Sequence, residues 1–138
     1  MKITGLLTLP LLIIFFSCRK DSFITSADAR VNISADTLKY DTVFVTAGST
    51  YRTFKIINEN NQKLLLSSIK LMGGPSSVFK MNVDGNAGTQ FNNLEIGAND
   101  SVYVFVQVNI NPNATNLPFV LRDSVEVEYN GNKKLVQL

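Results

Sequence analysis

The ten residues Ser101-Val-Tyr-Val-Phe-Val-Gln-Val-Asn-Ile110 place an aliphatic side chain at every second position. In an extended chain successive side chains point to opposite faces, so Val102, Val104, Val106, Val108 and Ile110 share one face of a strand. Wound on a helix, the same spacing would scatter them around the axis, so only a sheet can bury them together. The opposite face carries Tyr103 and Phe105, then Gln107 and Asn109, which predicts cover at one end and water at the other. This run is placed at the centre of a sheet.

Other runs repeat the pattern at short intervals. Residues 41–46 are β-branched and aromatic; 51–57 set Phe54 and Ile56 against Thr53, Lys55 and Ile57; 63–72 open with Leu on both faces. Residues 78–83 turn Phe79, Met81 and Val83 inward, Leu94 and Ile96 form a short strand, and 123–129 turn Val125, Val127 and Tyr129 inward. Between them stand residues that break strands or accept positive φ: 59–62 as a polar turn, Gly73-Gly74-Pro75, 84–88, 97–100, a loop from Pro112 to Pro118, and Asn130-Gly131, a two-residue hairpin signal. No stretch from residue 19 onward shows sustained apolar spacing at three and four, so long helices are excluded. With 138 residues, 45% of them hydrophobic and 17% charged, the chain suffices for one domain with its own core.

The amino end is different. Lys2 precedes an apolar run from Ile3 to Phe16, and Ser17-Cys18 follows. A charged start, a short oily stretch and a small residue before a boundary are the anatomy of a secretory leader, and the run is shorter than the roughly 20 residues a spanning helix needs. Phe15-Phe16-Ser17-Cys18 resembles the lipobox of bacterial lipoproteins, with Phe15 where Leu is usual, a variant found in one large phylum of Gram-negative gut bacteria. The resemblance implies cleavage after residue 17 and acylation, with palmitate among the acyl groups, of the Cys18 sulfur, the only cysteine in the chain. It also implies the outer membrane, because Arg19 replaces the inner-membrane-retaining Asp. Lys20-Asp21 resembles part of a surface-export signal, so the periplasmic and cell-surface faces both stay open. Residues 18–36, mixed and polar, read as a lipid-anchored tether, and the domain is expected over 37–138.

Seven or eight short antiparallel strands with two-faced alternation predict an all-β fold, a β-sandwich. The order of elements resembles the Ig-like family built like the ASH domain and major sperm protein. The resemblance rests on Thr42 to Val45, Gly48-Ser49, Phe54 to Ile56, Asn58, Leu64 to Leu66, Ile69, Phe79, Leu94, Ile96, Val104 to Val106 and Pro112. It covers about residues 38–138 and speaks to fold more than to function. The finish inside an apolar strand at Leu138 predicts a sandwich incomplete at its C-terminal edge, as in relatives where a β-helix follows.

Composition removes several chemistries. The chain has no histidine, which takes away the usual general base and zinc ligand. Without Lys2 the mature chain carries 12 basic and 11 acidic residues, scattered, so it has no basic stripe for nucleic acid. Asp84, Glu95, Asp100 and Asp123 show no pairing signal, and Asp84-Gly85-Asn86 lacks the later acids of a calcium loop. Neither an enzyme nor a cofactor is expected.

Four Asp-Ser/Thr-aliphatic triplets resemble the O-glycosylation sequence of secreted proteins in the same phylum, which makes Thr37, Thr42, Ser101 and Ser124 candidate sites; a polar cap at a strand start writes the same letters. Asn32, Asn99 and Asn113 begin Asn-X-Ser/Thr triplets, without weight for a bacterial chain. The function expected is an envelope module, anchored to the membrane through acyl chains on Cys18, that acts as a spacer or protein-interaction platform. The alternative is surface carbohydrate binding or adhesion, for which Tyr51, Tyr103, Phe105 or Tyr129 would offer stacking faces. An exposed aromatic row would favour the alternative.

Overall fold

The computed structural model describes residues 22–41, 43, 49–111, 113 and 120–138. Ten strands form in chain order: β1 (Phe23–Ile24), β2 (Val31–Ile33), β3 (Arg52–Asn58), β4 (Lys63–Leu71), β5 (Phe79–Val83), β6 (Asn86–Gly88), β7 (Gln90–Ile96), β8 (Ser101–Val108), β9 (Ser124–Tyr129) and β10 (Asn132–Gln137). They assort into two five-stranded sheets. In one, β4 pairs with β7 on one edge and, on the other, with β9 over Leu66 to Leu71 and with β1 at Lys63 and Leu64; β10 lies outside β9. The other sheet runs β2-β3-β8-β5-β6, antiparallel throughout.

The alternation at 101–110 is satisfied as the sequence demands. β8 is the middle strand of its sheet, and Val104 and Val106 are fully buried, with Val102, Val108 and Ile110 nearly so. Phe54 and Ile56 from β3 and Phe79, Met81 and Val83 from β5 complete that inner face. Leu64, Leu66, Ile69, Leu71, Val125, Val127 and Val136 supply the facing sheet, and the two sets form one core. β4 departs from strict alternation. Its inward residues switch from even to odd numbers across an irregularity between Leu66 and Ser68, a β-bulge that lets one strand bury Leu64, Leu66, Ile69 and Leu71 alike. The predicted hairpin closes on a two-residue turn with positive φ at Asn130 (45°) and Gly131 (80°), and a second such turn, at Asp84 (49°) and Gly85 (86°), joins β5 to β6 within the stretch expected only as a break.

Several expectations are corrected. The stretch expected as a tether contributes two strands: β1 pairs parallel with β4, β2 pairs with β3, and Ala29 and Val31 are buried. The folded domain therefore reaches back to Phe23, where the sequence placed its start at 37. Among the described residues the strand count is ten, because of these two and because Asn86–Gly88, expected within a turn, forms β6. One of the pairings is parallel, where all were expected antiparallel. The expected polar turn at 59–62 buries Asn60. β10 is an edge strand, yet its edge is met by the amino-terminal segment through a parallel bridge between Thr37 and Gln137. The leader, Cys18, most of the run 41–46 and most of the loop 112–118 lie outside the described residues.

Candidate functional site

The outer face of the β3-β8-β5 layer carries two neighbouring aromatics, Tyr103 and Phe105. Because β8 turns its valines inward, Tyr103 and Phe105 face out, flanked across the ladder by Lys55 and Thr53 on β3 and, beside Phe105, by Asn82 on β5. Tyr103 is 43% exposed and Phe105 half-buried. Their rings stack at 6.0 Å between centroids with planes 21° apart, and Lys55 Nζ sits 4.7 Å from the Tyr103 centroid. A cation over an aromatic face is attracted by the ring quadrupole, and its stem covers apolar surface. Tyr51, 61% exposed, precedes β3, and Tyr129 is buried in the core. Of the four aromatics named, Tyr103 and Phe105 stack on each other on this face, Tyr51 is exposed just before β3, and Tyr129 is withdrawn into the core.

The end of the sandwich near Ser22 is locked by two buried asparagines. Asn58 Nδ2 donates to the carbonyls of Gln62 (2.8 Å), Ile96 (3.3 Å) and Gly97 (2.7 Å). Its Oδ1 accepts from the backbone N–H and Nδ2 of Asn60. Asn60 in turn exchanges bonds with the backbone of Arg30, Nδ2 donating at 2.8 Å and Oδ1 accepting at 3.0 Å. One amide pair therefore ties together the amino-terminal segment, the β3–β4 crossover and the β7–β8 turn. Buried polar groups are stabilising only when so satisfied. The sequence showed these residues only as a polar run.

At the opposite end Asp123, expected as a solvated turn residue, is half-buried and accepts three bonds: from Gly73 N–H (2.9 Å), Ser77 Oγ (2.5 Å) and Ser124 N–H (2.8 Å). A Cβ at Gly73 would stand 2.4 Å from Asp123 Oδ2, so any side chain there would push the carboxylate off these bonds. Gly73, Ser77 and Asp123 line an open cleft of about 260 Å³ with Phe79, Leu121 and Arg122. The Ser77 hydroxyl proton points at a carboxylate with no imidazole to relay it, and the carboxylate is occupied in holding the β4–β5 connection. Asp84 lies in the β5–β6 turn, Glu95 on β7 and Asp100 in the β7–β8 turn, so the four acids named from sequence are not brought together.

Of the modification candidates, Thr37 is exposed at its bridge to Gln137, and Ser101 and Ser124 are half-buried first residues of β8 and β9. At both serines the preceding aspartate closes on the serine's own N–H, Asp100 Oδ1 at 2.7 Å and Asp123 Oδ1 at 2.8 Å. That is the strand-start cap anticipated from the letters. Thr42 and Cys18 lie outside the described residues. Tyr40 stands outside the alternating runs, and nothing in its neighbours' letters marks it as a functional or packing residue. Its hydroxyl donates to the Val106 carbonyl at 2.8 Å and its ring tilts against Phe79 at 5.7 Å. Burial pushes its phenol well above the ordinary tyrosine range, only partly offset by Arg52. No protein-family model, no curated protein and no solved structure matches this chain.

Proposed function

We propose that this chain is a non-enzymatic, lipid-anchored module of the outer membrane, facing the periplasm or the cell surface, and that it works as a spacer or protein-interaction platform. The observation that carries the reading is where the two ends of the domain lie. Ser22 sits beside Gln62, which donates to its hydroxyl, at the Lys63 end of β4. Leu138 exchanges backbone bonds with Asp123, beside Gly73, at the Leu71 end. A strand of β4's length spans about 30 Å, so what is held at the Leu138 end stands that far from the anchored end. Four residues separate Cys18 from Phe23, a reach of at most about 18 Å, so the strand layers provide most of the distance. On this reading two or more acyl chains on Cys18, each buried CH₂ contributing about 0.8 kcal/mol, hold the protein durably.

Palmitate labelling of the wild-type chain, with envelope fractionation, tests the anchor. Label on the wild type and none on Cys18→Ala supports it; an unlabelled wild type found in the soluble fraction overturns it. A second reading, carbohydrate binding or adhesion, is favoured by the partly exposed Tyr103 and Phe105 with polar neighbours Thr53, Asn82 and Lys55. Binding on a glycan array that is lost in Tyr103→Ala would raise it above the spacer role. O-glycosylation at Thr37, Thr42, Ser101 or Ser124 would appear as a sugar-sized mass increment removed by the matching Thr→Val or Ser→Ala change.

A further inference from the structure

The strap from Ser22 to Leu38 and the last hairpin, β9 with β10, grip each other along most of their length. Asn130 Nδ2 donates to the carbonyls of Ile24 (3.0 Å) and Ser26 (2.9 Å), and Asn132 Nδ2 to that of Ala27 (2.7 Å). Lys134 Nζ donates to the Val31 carbonyl (2.5 Å). Further on, Gln137 N–H donates to the Asp36 carbonyl and Leu38 N–H to that of Gln137, each at 2.8 Å. The Asn-Gly-Asn letters at 130–132 thus encode more than a turn: the flanking amides are the strap's anchors.

Direction gives this grip a consequence. β1 runs parallel to β4, and the strap at Thr37 runs parallel to β10. Ser22 and Leu138 leave at opposite ends of these parallel pairs. A pull that separates the two residues therefore slides β1 past β4 and the strap past β10 along their own axes. The bonds across each pair then carry the load together, whereas a pull across the strands would open them one after another. We propose that the strap and the last hairpin form a force-bearing clasp, one that resists tension applied between the membrane anchor and Leu138. The source of the load rests on the anchoring reading above; the strength of the clasp does not.

The test is single-molecule force spectroscopy on the unacylated full chain, with one handle on the Cys18 sulfur and the other at Leu138. Gln137→Pro isolates the clasp. Leu138 exchanges both backbone bonds with Asp123, so the Gln137 N–H points outward to Asp36, and proline at that edge removes this bond while sparing the β9 ladder. The lifetime under constant force should shorten roughly five-fold, the loss of one hydrogen bond that the load falls on. The double change Asn130→Gly with Asn132→Ala, which removes both amides while keeping the positive φ of the turn, should shorten it at least as much. Unfolding without load, followed after a denaturant jump, should change less than the loaded lifetime in both variants. Loaded lifetimes equal to wild type in both variants, or equal effects with and without load, would overturn the clasp. Because no membrane enters this measurement, its failure would be distinct from a failure of palmitate labelling.

Discussion

β8 and the amino-terminal strap are both strand-bearing segments of one sandwich, and they owe their places to different physics. β8 carries its instruction locally. Four valines and an isoleucine at period two leave one way to bury them, and the strand sits at the centre of its sheet with those residues inside. The strap carries isolated apolar residues among Ser, Asp, Ala and Asn, and it is held by carbonyls that accept from side chains about a hundred positions later in the chain. Apolar periodicity shows where a chain must fold; bonds to backbone carbonyls, open to almost any sequence, do not show in the residues that accept them.

Breaking β8's side of the comparison should have the largest effect. Phe54→Ala, which empties a site 1% exposed opposite Val104, should cost about 3–5 kcal/mol by denaturant titration. Asn58→Ala comes next. It strips the donors from buried carbonyls and the acceptor from Asn60, a loss of about 3 kcal/mol when several buried groups are left unpaired. Val31→Ala sharpens the contrast most directly. If residues 18–36 were only a tether the change would be silent, whereas Val31, 7% exposed, should lose about 1.5 kcal/mol.

The Tyr40 phenol gives a smaller, pH-dependent effect. Its folded pKa lies above its unfolded value near 10, so the folded state holds the proton more tightly. Its contribution is complete below about pH 10 and declines as the pH rises above it. Tyr129, raised by burial, works in the same direction. Tyr40→Phe should lose about 1 kcal/mol at neutral pH, from the bond to Val106, and then show a shallower alkaline decline than the wild type. The smallest effect is expected at the surface of the last hairpin. Lys133, bonded to Glu128, lowers that carboxyl's pKa, but the lysine is exposed and the carboxylate only partly covered, so the pair is screened by water and Glu128→Gln should leave the melting temperature unresolved from wild type.

The inward faces of β3, β5, β8 and β9 and the Asn130-Gly131 hairpin could be read from the letters, because alternation and positive-φ residues act over a few positions, whereas the letters of 84–88 show a break but not the strand β6. β4 could be read only in part, since nothing in Ser67-Ser68 announces that a bulge will reverse the phase of its apolar residues. At the sites, alternation places Tyr103 and Phe105 on the face opposite the valines, but the cover expected over that end is missing at Tyr103, which is 43% exposed; the Asn58–Asn60 lock and the Asp123 latch do not show in the letters, because amides and acids in turns look alike until their partners arrive.

The amino-acid sequence by itself determined that this is an all-β chain, which residues form its core strands and where its tight turns fall, because those follow from side-chain period and backbone freedom within one segment. Only the tertiary structure decided that the residues after Ser22 belong to the domain, that β1 runs parallel to β4, and that the first and last segments hold each other. Those outcomes depend on backbone groups and polar side chains distant in the chain, whose pairing is fixed only once the sheets have brought them within hydrogen-bond reach.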